Sequence, residues 1–154
     1  CLSLSILCLH FLSIRWQGWP VFINERPAAL VALDAESGRT VWSYTPPPFK
    51  RPSSEGDELF LFLRLYNKLI LQEPGDYICL PDNWAQVTIG GDGTVYGGFE
   101  DGHFYAVSDS DGSGTIESEN EVSKYYFGHA FQASQGFAPG LLAVVPCGGG
   151  LHVW

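Results

Sequence analysis

The side chains whose types and spacing could do chemistry lie in one acidic loop, SDSDGSGTIESENE, at residues 108–121. Its oxygen-bearing residues alternate along the chain, and Gly114 follows at the place where a calcium loop turns sharply. Alternate residues of a tight loop direct their oxygens at one centre, as a hard cation requires. The segment 109–121 therefore predicts a calcium site with these ligands: Asp109, Asp111, Ser113, Thr115, Glu117, Asn120 and Glu121.

This loop resembles the calcium loop of the EF-hand, with Ile116 expected to pack inward, but it departs from that pattern in two ways. The twelfth position is Asn120, so a bidentate carboxylate would have to come from Glu119 or Glu121. The flanking segments HFYAV and EVSKYYFG are not amphipathic helices, which argues against an EF-hand domain. The expected affinity is weak, about 10⁻⁴–10⁻³ M. The alternative is a solvent-exposed Asp/Gly/Ser turn that binds no ion.

The charge distribution limits the possible partners. The formal net charge is -9, and no Lys or Arg lies between Glu100 and Ser123, a segment with seven acidic residues. Nucleic-acid affinity depends on clusters of Lys and Arg, so we expect no nucleic-acid binding. The local partner should be a cation, and a solvated acidic face is the alternative.

The elements that position the loop are predicted to be β-hairpins. The composition, with 45% hydrophobic residues, 18 Gly and 10 Pro, favours an all-β fold of short strands and tight turns. Val21–Gly38 aligns without a gap on Val95–Gly112, and this places the acidic loop where AESG turns in the first copy. Hairpins are expected to start near residues 21, 68, 95 and 142, and such repetition is typical of a β-propeller.

The segment ALVALDAESGRTVWSY (residues 29–44) resembles the tryptophan-docking repeat of the pyrroloquinoline quinone (PQQ) propeller family. Its motif residues here are Ala32, Asp34, Ser37, Gly38 and Trp42, with Ser37 in place of the usual Thr. DGTVYGGFEDGHFYAV resembles the paired strands of another blade. The resemblance implies a partial β-propeller over residues 20–154, with three to four blade-like antiparallel units of a larger propeller. Residues 1–19 form an apolar leader of uncertain status: a signal-peptide tail, a buried strand or a non-native leader.

The PQQ family includes quinone-dependent alcohol and glucose dehydrogenases, and also cofactor-free propellers such as outer-membrane assembly lipoproteins. No Cys-Cys pair is present and no PQQ ligand can be mapped, so PQQ is not expected in this segment. The predicted function is a non-catalytic, calcium-stabilised scaffold that binds a protein partner or the remaining blades in a secreted, lumenal or periplasm-like compartment. Membrane association stays open. The alternatives are a fragment of a PQQ-dependent dehydrogenase, and carbohydrate or peptide binding at aromatics such as Trp84.

Other segments offer little chemistry. The four Cys lack CxxC spacing and the four His are dispersed, so structural roles are expected. TPPPFKRP (45–52) is interpreted as an interblade linker, and a partner-docking segment is the alternative. DELFLFLRLYNKLILQ (57–72) fits helix or strand, and in either case should be buried. Phe127–Pro146 should form two strands around a turn at Pro139-Gly140.

Overall fold

A computed structural model describes residues 28–51, 53–57, 66–71, 83–117 and 119–154. Their regular structure consists of nine strands and one short π-helical turn at Asn67–Leu71. The strands are β1 (Leu30–Leu33), β2 (Thr40–Tyr44), β3 (Thr88–Ile89), β4 (Val95–Gly98), β5 (His103–Val107), β6 (Val122–Tyr126), β7 (Gly136–Ala138), β8 (Leu141–Val144) and β9 (His152–Val153). The all-β prediction is confirmed for this part of the chain. The apolar leader, the first strand of the hairpin near residue 21 and the Pro74-Gly75 turn lie outside the described residues.

The strands form three antiparallel sheets, and every strand pairs with its neighbour in sequence. The sheets are β1-β2, β3-β4-β5-β6 and β7-β8-β9. In the first sheet Ala32 lies opposite Trp42, and in the second Val95 lies opposite Val107. Each sheet is thus a meander of hairpins, and the three sheets do not close on one another within the described ranges.

Asp-Gly and Pro-Gly pairs form the turns that join β4 to β5 and β7 to β8. Asp101 closes the β4-β5 turn, because its Oδ1 accepts a hydrogen bond of 2.9 Å from the His103 amide. Gly102 follows with a φ of +82°, a left-handed conformation that a glycine adopts without steric cost. The predicted turn at Pro139-Gly140 between β7 and β8 is confirmed, and a further turn after residue 146 leads toward β9.

The central sheet is covered on both faces. On one face Tyr105 and Val107 share a buried cluster with Leu30 and Trp42 of the first sheet. On the opposite face a second cluster joins the central sheet to the third: Ala85, Phe104, Phe131 and Val144. Because successive side chains of a strand point to opposite faces, β5 contributes to both clusters. The sheets therefore stack in chain order, and neither outer sheet has a buried core of its own in the described part of the chain.

One element differs from the sequence prediction. The segment 57–72 fits helix or strand, and the hairpin predicted near residue 68 requires a strand; Asn67–Leu71 instead form a π-helical turn. The expectation of burial is also wrong here, because Leu69, Ile70 and Leu71 are all exposed. The run NKLIL has neither a two-residue nor a 3.6-residue alternation of polar and apolar side chains, so its pattern does not select a face or an element.

Candidate metal centre

The acidic loop connects β5 to β6, which is the edge strand of the central sheet. Its ends are held together by a hydrogen bond of 3.0 Å from the Ser108 amide to the Glu121 carbonyl. The shorter turn between β1 and β2 is closed in the same way, by the Asp34 amide and the Arg39 carbonyl at 2.8 Å. The loop is therefore an extended form of an ordinary hairpin turn, as the alignment of the two repeats predicts.

Three of the seven predicted ligands come together in this loop. One carboxylate oxygen each of Asp109, Asp111 and Glu121 lies within 4.8 Å of the other two. Calcium binds oxygens at about 2.3–2.6 Å, so two ligands of one ion lie at most about 5 Å apart. The three carboxylates are thus close enough to bind a single ion. Asp111 is exposed, Asp109 is half-buried and only 4% of Glu121 is exposed.

Backbone amides hold the two less exposed carboxylates in place. Glu121 accepts hydrogen bonds from the Ser110 amide at Oε1 (3.2 Å) and from the Glu117 amide at Oε2 (3.1 Å). Asp109 Oδ2 accepts one from the Gly114 amide at 3.0 Å. The other oxygen, Asp109 Oδ1, is shielded from solvent and accepts no hydrogen bond from any described residue. A buried carboxylate oxygen without a partner is costly, and a cation would satisfy it.

Asp111 completes the group from the solvent side. Its Oδ1 accepts a hydrogen bond of 2.9 Å from the Ser113 amide. This backbone hydrogen bond is the main reason that the pKa of Asp111 lies below its ordinary value. Asp111 is therefore ionised at neutral pH, which is the state that binds a cation.

The remaining predicted ligands lie outside this group of three carboxylates. Ser113 Oγ donates a hydrogen bond to the Thr115 carbonyl at 3.0 Å, so these two residues also contact each other. Glu117 and Asn120 are exposed. Their roles as ligands stay predictions. From the sequence alone, Glu121 is predicted only as a substitute for the missing twelfth ligand, because its contacts with two backbone amides depend on the closed loop.

The loop also packs on the first sheet. The predicted inward orientation of Ile116 is confirmed, since its side chain packs against the cluster that contains Trp42. At Gly114, whose φ is +81°, an added Cβ would lie 3.1 Å from the Val41 carbonyl oxygen. A cation held by the loop would therefore sit next to the junction between the first and central sheets.

The residues that resemble a tryptophan-docking motif include a hydrogen-bonded turn and a buried tryptophan. Asp34 Oδ1 accepts hydrogen bonds from the Ser37 amide (2.7 Å) and the Ser37 hydroxyl (2.5 Å). Gly38 has a φ of +69°, and its amide donates to the Asp34 carbonyl at 2.8 Å. Trp42 is 7% exposed, and Ala32 packs against the same cluster. Trp42 is thus a core residue and not an exposed platform for a ligand.

Asp34 makes the stability of this turn depend on pH. Its hydrogen bonds to the side chain and amide of Ser37 lower its pKa. Because the folded pKa lies below the unfolded pKa of about 3.9, the stabilisation is fully present above the unfolded pKa. It is lost as the pH falls through the folded pKa. We expect Asp34→Asn to melt below the wild-type protein at neutral pH, with a gap that closes in acid. Thermal melts of both proteins across this range test the prediction, and a gap of constant size would contradict it.

An open cleft of about 740 Å³ lies between the proline-rich segment and the β4-β5 turn. Four of its ionisable side chains form two pairs: Arg51 pairs with Glu55, and Asp101 Oδ2 lies 3.0 Å from His103 Nδ1. Asp101 also accepts a hydrogen bond of 2.9 Å from the Tyr105 hydroxyl. The pKa of Tyr105 is raised above its ordinary range, mainly because the hydroxyl is buried and also because the Asp101 carboxylate lies beside it.

The proline-rich segment and Trp84 both contribute to the core. Phe49 belongs to the cluster shared by the first two sheets, which favours the linker interpretation of TPPPFKRP. Trp84 Nε1 donates a hydrogen bond of 2.8 Å to the Ala28 carbonyl, and its ring packs on Phe99 at a centroid distance of 4.8 Å. Half-buried in this way, Trp84 is poorly placed to stack on a sugar or a peptide.

Comparison with known proteins does not assign a family. No protein-family model matches the chain, and a search of curated proteins finds no relative. Among the residues that the structure describes, no helix is long and apolar enough to cross a membrane.

Proposed function

We propose that this protein is a non-catalytic β-propeller scaffold for protein interaction, and that the loop between β5 and β6 binds one structural calcium ion. Asp109, Asp111 and Glu121 are the ligands at the centre of this proposal. The observation that carries it is the buried Asp109 Oδ1, which lacks a hydrogen-bond partner and lies in a group of three carboxylates. A cation with oxygen ligands satisfies both the unpaired oxygen and the mutual repulsion of the carboxylates.

The arrangement of the sheets supports a propeller. A blade is one four-stranded antiparallel meander whose core is completed by its neighbours, and β3-β4-β5-β6 has this form. The sheet β1-β2 would then be the end of the preceding blade, and β7-β8-β9 the beginning of the next. The buried clusters on both faces of the central sheet agree with this arrangement. The resemblance of residues 29–44 to a propeller docking motif supports it independently.

The proposed role of the ion is to stabilise the junction between sheets. Glu121 lies directly before β6 and Asp109 shortly after β5, so one ion would link the ends of two paired strands. Ile116, within the same loop, packs against the cluster that contains Trp42. We expect an affinity of about 10⁻⁴–10⁻³ M, which is typical of extracellular modules. A secreted, lumenal or periplasm-like location follows from that affinity as part of the proposal.

Calcium titration tests the metal site. We expect calorimetry to show one bound ion, and thermal or urea unfolding to show stabilisation by mass action. At about ten to a hundred times the dissociation constant, the gain in the free energy of unfolding is about 1.4–2.7 kcal/mol. Asp109→Asn/Asp111→Asn should abolish both effects, because the amides keep the hydrogen-bond acceptors but remove two charges.

The matched control is Asp92→Asn. Asp92 also caps an exposed turn, through a hydrogen bond of 3.0 Å from the Thr94 amide, but it lies outside the group of three carboxylates. This variant should bind calcium as the wild type does. Absence of any response of the wild-type protein to millimolar calcium would contradict the metal site while leaving the scaffold proposal in place.

A further inference from the structure

Among the described residues, the two outer sheets each present an exposed apolar face. The outward side of β1-β2, which we call the front face, presents Val31, Leu33 and Val41 with exposed fractions of 51%, 59% and 49%. The outward side of β7-β8-β9, which we call the back face, presents Leu141 (53%) and Val153 (54%). None of the strands in these two sheets contains Asp, Glu, Lys or Arg. Exposed strands usually carry charged side chains that prevent association, so the absence of charged side chains from these strands points to a partner.

The sequence repeat identifies the kind of surface that the front face binds. The alignment of Val21–Gly38 on Val95–Gly112 places Val31 on Tyr105 and Leu33 on Val107. In the central sheet Tyr105 and Val107 are each 0% exposed, because the inward side of β1-β2 covers them. The inward side of β1 carries Leu30, which the same alignment places on Phe104. The front face therefore corresponds to the central-sheet face that contains Tyr105 and Val107, and that face is fully covered.

The back face is the complementary surface. With the hairpin at residue 142 placed on the hairpin at residue 95, Ala143 falls on Tyr96 and Leu142 on Val95. Tyr96 lies on the side of the central sheet that packs against the third sheet, while Ala143 and Val153 lie opposite each other on the outward side. At each internal interface, a face with residues at the Phe104 position of the repeat therefore packs on a face with residues at the Tyr105 position, which in the third sheet is the face of Leu142. Of the two exposed faces, the front face corresponds to the Tyr105 face and the back face to the Phe104 face.

We propose that the front face of one molecule binds the back face of a second copy of this chain. The contact would continue the stacking that already joins the first sheet to the central sheet and the central sheet to the third. Because two different surfaces meet, the association is head-to-tail, and each molecule keeps one free face for a further copy. This interface requires the stacked sheets alone and is independent of calcium binding.

The test is sedimentation velocity over a concentration series, with one variant for each face. Val31→Glu/Leu33→Glu blocks the front face, and Leu141→Glu/Val153→Glu blocks the back face. The wild-type protein should form species larger than a monomer as its concentration rises, and each variant alone should stay a monomer. An equimolar mixture of the two variants should form a dimer of doubled mass and nothing larger, because one intact face of each kind remains.

Leu69→Glu is the matched control, since Leu69 is also exposed but lies in the π-helical turn outside both faces. It should associate as the wild type does. If a double variant does not fold, as judged by circular dichroism and thermal melting, the single change Val41→Lys blocks the front face instead. The proposal is overturned by a wild-type protein that is monomeric throughout, by face variants that still associate alone, or by a mixture that stays monomeric.

Discussion

Replacement of Trp42 by alanine is expected to lower the free energy of unfolding by about 3–5 kcal/mol. Trp42 is 7% exposed and belongs to the cluster that holds the first sheet on the central sheet. Its neighbours in that cluster include Leu30 of its own sheet and Val95 and Tyr105 of the next. Removing the indole leaves a cavity between two sheets whose backbones are fixed by their own ladders. The gap can therefore relax only partly, and the lost contacts are not regained.

Urea denaturation at constant pH measures this effect, and two further variants make it specific. Val41→Ala changes the adjacent residue of β2, which is exposed, and should cost no more than about 0.5 kcal/mol. Trp42→Phe keeps an aromatic ring in the cluster and should lose clearly less than Trp42→Ala, about 1.5 kcal/mol. A loss for Trp42→Ala that is no larger than that for Val41→Ala would contradict the placement of the indole between the sheets. A loss that unfolds the protein outright still leaves Trp42→Phe as a measurable comparison.

The features that the sequence predicts well are those set by neighbouring residues. The turn at Asp34–Gly38, the strand HFYAV and the Asp101-Gly102 turn each follow from a few adjacent side chains. In the two turns, an Asp side chain accepts a hydrogen bond from the backbone of its own turn, and a glycine takes a left-handed conformation. Such chemistry is complete within a handful of residues, so tertiary packing has little to change.

The features that the sequence predicts less well depend on distant contacts. The role of Glu121 depends on the closure of the loop, which brings the amides of Ser110 and Glu117 to its two oxygens. The run at Asn67–Leu71 shows the opposite problem, because its pattern suits several elements and its exposure is decided by what packs nearby. Likewise, the alternation of β1 marks Val31 as one side of a strand, but only the stacked sheets show that this side faces outward.

The packing between the central and third sheets requires a residue without a side chain at position 98, and Gly98→Ala should disrupt it. Gly98 is a buried residue of β4, and a Cβ added there would overlap Cβ and Cγ of Phe131 and come within 2.7 Å of its Cδ2. Phe131 is 2% exposed and packs on Phe104 at a centroid distance of 5.6 Å, so it has little room to move. The Gly98 carbonyl is also fixed, because it accepts a hydrogen bond of 2.9 Å from the Ala85 amide. We expect a loss of about 3 kcal/mol in the free energy of unfolding.

A double-mutant cycle separates this clash from a general effect of alanine in a strand. Phe131→Ala removes the ring that the new methyl group would meet, so Gly98→Ala should cost much less in that background, with a coupling of about 1–3 kcal/mol. Gly91→Ala is the matched control, since an added Cβ there meets no atom within 4 Å, and its effect should stay within about 0.5 kcal/mol. Equal losses for Gly98→Ala and Gly91→Ala, or strict additivity in the cycle, would mean that Phe131, which lies between β6 and β7, does not pack on β4. The stacking on which both the scaffold and the head-to-tail interface depend would then lose its support on that side.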